Sequence, residues 1–164
     1  MRAFASMLAL LALGCAGGAP APSGPSLELG TGTARFAAVA DGEALPMIRG
    51  AQGGWHVWIA VRVDEMDVAT GSLTFAQQPA DESAEWIETR VGAVFDPPDA
   101  EGRRVSLGWP VIFADPTCSV GRLHRIRVTL TTASGERLVA EREILPAPGD
   151  NPPPPCGTPL PETG

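Results

Sequence analysis

The sequence predicts an all-β domain, an antiparallel β-sandwich of about seven to nine short strands. Two observations lead to this fold class. Apolar and polar side chains alternate with a period of two between Leu27 and Pro146. Clusters of Gly, Pro and Asp divide the alternating runs at short intervals, and no stretch shows the 3.6-residue period of an amphipathic helix.

The clearest strand is predicted over Trp55–Asp64, immediately after a Gly-Gly pair. One face of this strand is wholly apolar, and its members are Trp55, Val57, Ile59, Val61 and Val63. The other face begins apolar and becomes polar, and its members are His56, Trp58, Ala60, Arg62 and Asp64. This pattern indicates a long strand inside a sheet, with Trp55 in the core.

The same alternation predicts further strands on both sides of Trp55–Asp64. In chain order they are Ala34–Ala40, Leu45–Ile48, Leu73–Gln77, Glu85–Phe95, Arg104–Leu107 and Val111–Ala114. The run Asp96-Pro97-Pro98-Asp99 ends the fourth of them, because two successive prolines cannot continue a sheet ladder. The last two short strands flank Trp109-Pro110.

A hairpin is predicted at the end of the domain, where Leu123–Thr132 and Glu136–Leu145 flank the loop Ala133-Ser134-Gly135. A three-residue loop that ends in Gly fits a type I turn followed by a left-handed residue. The register set by this loop places Leu130 opposite Leu138 and Val128 opposite Ala140 on the core face. It places Arg127 opposite Glu141 and Arg125 opposite Glu143 on the solvent face, where opposite charges stabilise the pair.

This final hairpin resembles the last two strands of immunoglobulin-like and fibronectin type III domains. The resemblance implies an immunoglobulin-like β-sandwich. The sequence departs from the family in having no intersheet disulfide signature and no tyrosine, so no tyrosine corner can form.

The first residues predict export. Arg2 precedes a short apolar run from Ala3 to Leu13, which is too short to span a bilayer as a helix. The junction Leu11-Ala12-Leu13-Gly14-Cys15 resembles the lipobox of bacterial lipoproteins. The resemblance implies cleavage after a signal peptide over residues 1–14, lipidation of Cys15 and a place in the cell envelope. Ala16 then favours the outer membrane, and an ordinary cleaved signal peptide is the alternative.

Composition predicts the remaining boundaries. Residues 15–26 comprise the lipidated cysteine and a flexible linker of Gly, Ala, Pro and Ser, residues 27–146 form the sandwich, and residues 147–164 form a Pro-rich tail. The final Leu-Pro-Glu-Thr-Gly resembles a sortase signal, but the apolar and basic residues that normally follow it are missing here. We interpret it as the end of the proline-rich tail.

Cys118 and Cys156 are the cysteines that remain when Cys15 carries lipid. An even pair in an oxidising compartment predicts a disulfide, which would fix the tail to the domain. A reactive thiol pair is the alternative, but no Cys-x-x-Cys spacing supports it.

Charge argues against nucleic acid as a partner. The net charge is −7, all twelve basic residues are arginine, and no basic stripe occurs along the chain. An acidic surface repels phosphate backbones.

Candidate sites for chemistry are few. Motifs for serine hydrolases, zinc proteases, phosphate-binding loops and thiol oxidoreductases are all missing from the sequence, so we expect no enzyme and no cofactor. The candidate copper ligands are His56 and His124, together with Met47 or Met66. The candidate calcium ligands are two groups of acidic residues, Asp96, Asp99 and Glu101 in one loop and Asp64, Glu65 and Asp67 in another. Buried histidines and solvated acidic turns are the commoner interpretations. Trp86 and Trp109 are weak candidates for ligand contact.

The sequence therefore favours a non-catalytic, membrane-tethered envelope lipoprotein whose β-sandwich makes structural or protein–protein contacts. The alternative is a ligand-binding module on the cell envelope for a glycan, Ca²⁺ or copper.

Overall fold

The computed structural model describes residues 24–81 and 85–159, and these are nearly all β. The elements in chain order are β1 (Ser26–Thr31), β2 (Ala37–Ala38), β3 (Glu43–Arg49), β4 (Trp55–Asp64), β5 (Thr70–Pro79), β6 (Ile87–Val94), β7 (Arg104–Ile112), α1 (Pro116–Ser119), β8 (His124–Thr132) and β9 (Arg137–Pro148). The strands form one curled, mixed sheet in the order β2-β1-β4-β3-β9-β8-β5-β6, with β7 also paired to β4. The prediction of an all-β fold is confirmed.

The strand β4 has the bounds that the alternation predicts, and it organises one half of the sheet. It pairs with β7 from His56 to Val63, and also with the end of β3 and with β1, all antiparallel. Every residue of its predicted apolar face is buried. The strand therefore forms the centre of the core, because it has neighbours on both edges and an apolar face beneath.

The sheet is mixed because β3 changes partner along its length. Residues Glu43–Met47 pair in parallel with the end of β9, whereas Ile48 and Arg49 pair antiparallel with β4. The prediction of a wholly antiparallel sandwich is therefore wrong at this pair. The strand β9 continues to Pro148, past the predicted end of the domain, and its residues Ile144–Pro148 form this parallel ladder with β3. Beyond Ile144, β8 no longer pairs with β9. A strand end that has lost one neighbour can contain prolines, which have no N–H to donate.

The predicted final hairpin is confirmed in its register. Leu130 pairs with Leu138 and Arg127 pairs with Glu141. Gly135 has the left-handed φ of 86° that the loop requires. The ion pair between the Arg127 and Glu141 side chains measures 2.8 Å, so the solvent face carries the predicted charge pairs.

One core joins both halves of the curled sheet. Ile59 of β4, Leu73 of β5 and Leu130 of β8 are all fully buried in it. Across the core, the rings of Phe75 (β5) and Trp109 (β7) lie with centroids 6.0 Å from each other. The two halves therefore face each other, with apolar side chains between them.

Three elements differ from the sequence prediction. The strand β1 was not predicted, because its polar start follows a Gly-Pro-Ser run that is typical of a linker. The predicted pair of strands around Trp109-Pro110 is one strand, β7, in which a register shift and the left-handed Gly108, with φ of 72°, replace the expected break. The four-residue helix α1 was also not predicted, because a single turn is too short to show a helical period.

The remaining strands are predicted with shifted bounds. The strand β5 is longer than Leu73–Gln77, and β6 is shorter than Glu85–Phe95. Of the predicted Ala34–Ala40, only the two residues of β2 pair with a neighbour.

Candidate functional site

The two histidines lie in different places and do not converge. His124, at the start of β8, is buried; its Nδ1 lies 3.1 Å from Oε1 of Gln77, and its ring packs edge-on against Phe113. His56 lies near the start of β4 and lines a separate cleft. Met47, one of the predicted soft ligands, is fully buried in the core. Within residues 24–81 and 85–159, no group of three or more His, Cys, Asp or Glu side chains could hold a metal ion.

Arginines neutralise the acidic loop that was a candidate for calcium. The Asp99 carboxylate accepts hydrogen bonds from the backbone N–H groups of Glu101 and Arg103, at 3.0 and 2.9 Å. The guanidinium of Arg103 forms ion pairs with Asp99 at 2.8 Å and with Glu101 at 2.6 Å. Hydrogen bonding to this guanidinium holds the pKa of Asp99 below its usual value. In the neighbouring loop Asp67 pairs with Arg104 at 2.7 Å. These carboxylates already have cationic partners.

Neither tryptophan proposed for ligand contact is an open aromatic platform. Trp109 packs against the core, and its indole N–H donates to Ser106 Oγ at 3.1 Å. Trp86 is half-buried, and the guanidinium of Arg127 lies 4.2 Å from its ring centroid. Both rings therefore have protein partners.

Cys118 and Cys156 form the predicted disulfide, with their Cα atoms 4.5 Å apart. Cys118 lies in α1, which Asp115 caps through a hydrogen bond of 3.1 Å from the Cys118 backbone N–H. Hydrogen bonds from the Thr117 hydroxyl and from this N–H lower the pKa of Asp115.

The bridge holds the segment 149–156 against β3 and β4, and we call this segment the strap. The indole N–H of Trp55 donates to the carbonyl of Asn151 at 2.9 Å, and Pro153 is buried. The disulfide therefore fixes this part of the predicted Pro-rich tail to the domain, as the cysteine pair predicts.

The signal peptide, Cys15 and the final Leu-Pro-Glu-Thr-Gly lie outside the described residues. Among the described residues, no helix is long and apolar enough to cross a membrane.

The main candidate site is a cleft on the outer face of β4, which we call the His56 cleft. Its lining residues are Gly50, Ala51, Gln52, Gly54, His56, Trp58, Pro110 and Ile112, around a volume of about 590 Å³. The β4–β7 register builds it, since His56 lies opposite Ile112 and Trp58 lies opposite Pro110. Residues directly opposite each other share a face of the sheet, so these four side chains project to the same side.

The glycine-rich turn between β3 and β4 closes one side of the cleft. It is held by backbone hydrogen bonds from Gly50 N–H to the Gly54 carbonyl at 2.7 Å and from Gly53 N–H to the Gly50 carbonyl at 2.9 Å. A Cβ at Gly50 would lie 3.2 Å from Cε1 of His56, so the turn packs closely on the imidazole. A larger side chain at Gly50 would displace the ring.

Among the described residues that line this cleft, His56 is the only titratable one. Its side chain is 7% exposed, and its ring packs edge-on against Trp58 with centroids 4.4 Å apart. Its Nε2 is buried with no hydrogen-bond partner among the described residues. Burial lowers the pKa of His56, so the neutral form of the ring predominates at pH 7. The described lining is thus largely apolar and carries no charged side chain at pH 7.

Sequence reasoning missed the cleft as a site. One signal was available in the sequence. The second face of β4 begins with two aromatic residues, His56 and Trp58, which are unusual on a face that points to solvent. Pro110 and Ile112 carried no signal, because Trp109-Pro110 was interpreted as a break between strands.

Comparisons with protein-family models and with curated proteins found no match to this chain.

Proposed function

We propose that this protein is a non-catalytic binding module of the bacterial cell envelope, held on a lipid anchor at Cys15. We further propose that the His56 cleft receives an uncharged, apolar segment of an envelope protein. The observation that carries this proposal is an uncharged, apolar cleft on the outer face of a sheet, in a protein of net charge −7.

Charge supports the choice of ligand. No Asp, Glu or Arg is among the described residues that line the cleft, and His56, the one titratable residue among them, is mainly neutral at pH 7 because burial lowers its pKa. An ion would lose its hydration there and gain no counter-charge, whereas an apolar side chain would gain from leaving water.

Size and exposure support a peptide segment. Ligand sites commonly have volumes of roughly 300–1,000 Å³, and the cleft at about 590 Å³ falls inside that range. At its rim Ile112 is 58% exposed, and Ile48, which pairs with His56, is 36% exposed. These side chains extend the apolar surface beyond the cleft.

A binding role is favoured over catalysis by the cleft wall. Covalent catalysis needs a nucleophile that an adjacent base activates. Among the described residues that line the wall, His56 has no Ser, Thr, Cys or Lys beside it to serve as that nucleophile.

We also propose that the domain is an elaborated immunoglobulin-like or fibronectin type III-like sandwich. The ladders β1-β4-β7 and β9-β8-β5-β6 follow the order of strands A-B-E and G-F-C-C′ in that architecture. The strand β3 would then be an addition that joins the two sheets. An experimental structure in which β7 pairs with any strand of the second ladder would contradict this assignment.

Site-specific photocrosslinking in the native bacterium tests the peptide proposal. A benzophenone amino acid replaces Ile112 at the cleft rim, and the matched control replaces Val139 on β9, since the two aliphatic side chains are 58% and 56% exposed. We expect a recurrent protein adduct from position 112 alone, which Trp58→Ala removes. A synthetic peptide of the crosslinked segment should be uncharged and should compete with adduct formation.

Equal adducts at both positions would refute the cleft as the contact site. A charged crosslinked segment, or adducts with glycan or lipid alone, would refute the proposed ligand class. For the anchor, Cys15→Ser should move the protein from the membrane fraction to the soluble fraction.

A further inference from the structure

The strand β6 is the edge of its half of the sheet. Across the described chain it pairs with β5 alone, from Ile87 to Val94. One row of its backbone N–H and C=O groups therefore lacks a strand partner. Proteins commonly guard such edges with charges, and β6 carries two charges of opposite sign, Glu88 and Arg90.

These two charges lack the ion-pair partners that the charged residues of β8 and β9 have. On β8 and β9, Arg127 pairs with Glu141 at 2.8 Å, and Arg125 lies 3.3 Å from Glu143. Glu88 and Arg90 are exposed and make no ion pair within the described residues; Arg90 donates a hydrogen bond to Ser72 Oγ at 2.7 Å.

We propose that a second copy of this chain pairs with β6 through its own β6, antiparallel and with the two-fold axis at Thr89. In this register Glu88 lies opposite Arg90 of the second copy, and the symmetry forms this pair twice. Opposite charges directly across an antiparallel pair attract each other. An isologous contact of this kind closes as a dimer, leaving no free β6 edge to extend a fibre.

The charges select this register over its neighbours. A two-fold antiparallel ladder must be centred on a residue. Two residues directly opposite each other point their N–H and C=O groups either both toward the partner strand or both away from it, whereas a centre between two residues would pair one of each kind. A centre at Glu88 places two glutamates opposite each other, and a centre at Arg90 places two arginines opposite each other. A centre at Val91 places Arg90 opposite Gly92 and leaves both charges without partners.

The same register covers apolar surface. Ile87, which is 43% exposed, comes to lie opposite the half-buried Val91 of the second copy, on the core-facing side of the sheet.

Cysteine crosslinking of the full chain in its membrane tests the dimer. Opposite residues in an antiparallel ladder have Cα atoms about 4.5–5.5 Å apart, within the range of a disulfide. Thr89→Cys should therefore form a disulfide-linked dimer under mild oxidation. The matched control is Val94→Cys, at a 73% exposed position of the same strand. Two copies of residue 94 would lie about 33 Å apart along the ladder.

Exchanging the charges at positions 88 and 90 distinguishes a disulfide formed in this register from one formed by random collision of exposed thiols. In the Thr89→Cys background, Glu88→Arg should weaken dimerisation by about tenfold or more, since two attractive pairs become repulsive. Adding Arg90→Glu should restore crosslinking. Dimer formation by Val94→Cys equal to that of Thr89→Cys, or no recovery in the doubly exchanged variant, would overturn the proposal. Because the His56 cleft lies on β4 and β7, these variants leave the peptide-binding test unaffected.

Discussion

Removing the bridge between Cys118 and Cys156 should cost the domain a large part of its stability. The two cysteines are separated by 38 residues, and the bridge closes a loop containing the β8–β9 hairpin. In the chain-entropy model a loop of this length removes about 13 cal/mol/K from the unfolded state, or about 4 kcal/mol at room temperature. Small domains have total stabilities of roughly 5–15 kcal/mol, so this loss would bring the chain close to unfolding.

The assay is urea unfolding of the double variant Cys118→Ala, Cys156→Ala, followed by tryptophan fluorescence. Trp55 reports on the strap directly, because its indole N–H bonds to Asn151. The m-value should rise, since an unfolded chain without the crosslink exposes more surface. Cys15→Ser is the matched control, because it removes a cysteine but keeps the bridge.

A loss below about 1 kcal/mol in the double variant would refute the entropic reasoning. Reductant should reproduce the effect of the double variant in the unmodified chain and in Cys15→Ser. If reductant destabilised the double variant as well, the effect would lie elsewhere than in the bridge.

Further predictions concern the hairpin, the cleft and the strap. Arg127→Glu should lower the free energy of unfolding by about 0.5–1 kcal/mol, and the added exchange Glu141→Arg should recover most of it in low salt. His56 has a folded-state pKa below its unfolded value of 6.5, so stability should be complete above that pH. As the pH falls through the unfolded pKa, the unfolded state binds the proton first, and stability should decline by at most about 1.4 kcal/mol per pH unit. Gly149→Ala should destabilise the domain by more than about 1 kcal/mol, because its Cβ would lie 2.5 Å from the Met47 carbonyl oxygen.

Each of these has a control. Salt at 1 M should remove most of the recovery in the exchanged hairpin variant, and full recovery in salt would argue against an electrostatic cause. His56→Phe should reduce the pH dependence between pH 6.5 and 5 by the share that His56 contributes. An unchanged slope would contradict the assignment. Gly54→Ala, which would place a Cβ in open space, should leave stability unchanged, in contrast to Gly149→Ala.

Local signals in the sequence predicted the parts of the fold that depend on near neighbours. The bounds and faces of β4 follow from ten residues of alternation. The hairpin register follows from a loop of fixed length and from complementary pairs such as Arg127 and Glu141, because a slip of one residue would reverse the faces. The disulfide follows from an even count of cysteines once Cys15 is assigned to lipid.

Pairings between distant segments could not be predicted. The parallel contact of β3 with β9 joins Glu43 to Ile144, and nothing in the sequence of either segment indicates the other as its partner. The prolines from Pro146 onward indicated a tail that begins at residue 147, although β9 continues to Pro148. The His56 cleft depends on such a pairing too, because Ile112 reaches His56 only through the β4–β7 register.

The proposed dimer constrains how two tethered copies can share one membrane. An antiparallel pair reverses the strand direction, so the two β1 strands begin at opposite ends of the pair. A strand of ten residues such as β4 is about 33 Å long, and the eleven residues 16–26 that follow Cys15 can extend at most ~35 Å. An upright pair would need one tether fully stretched, whereas a pair lying flat needs neither tether extended. Deleting residues 17–22 should therefore leave Thr89→Cys crosslinking in membranes unchanged, and its loss would show that the pair stands upright.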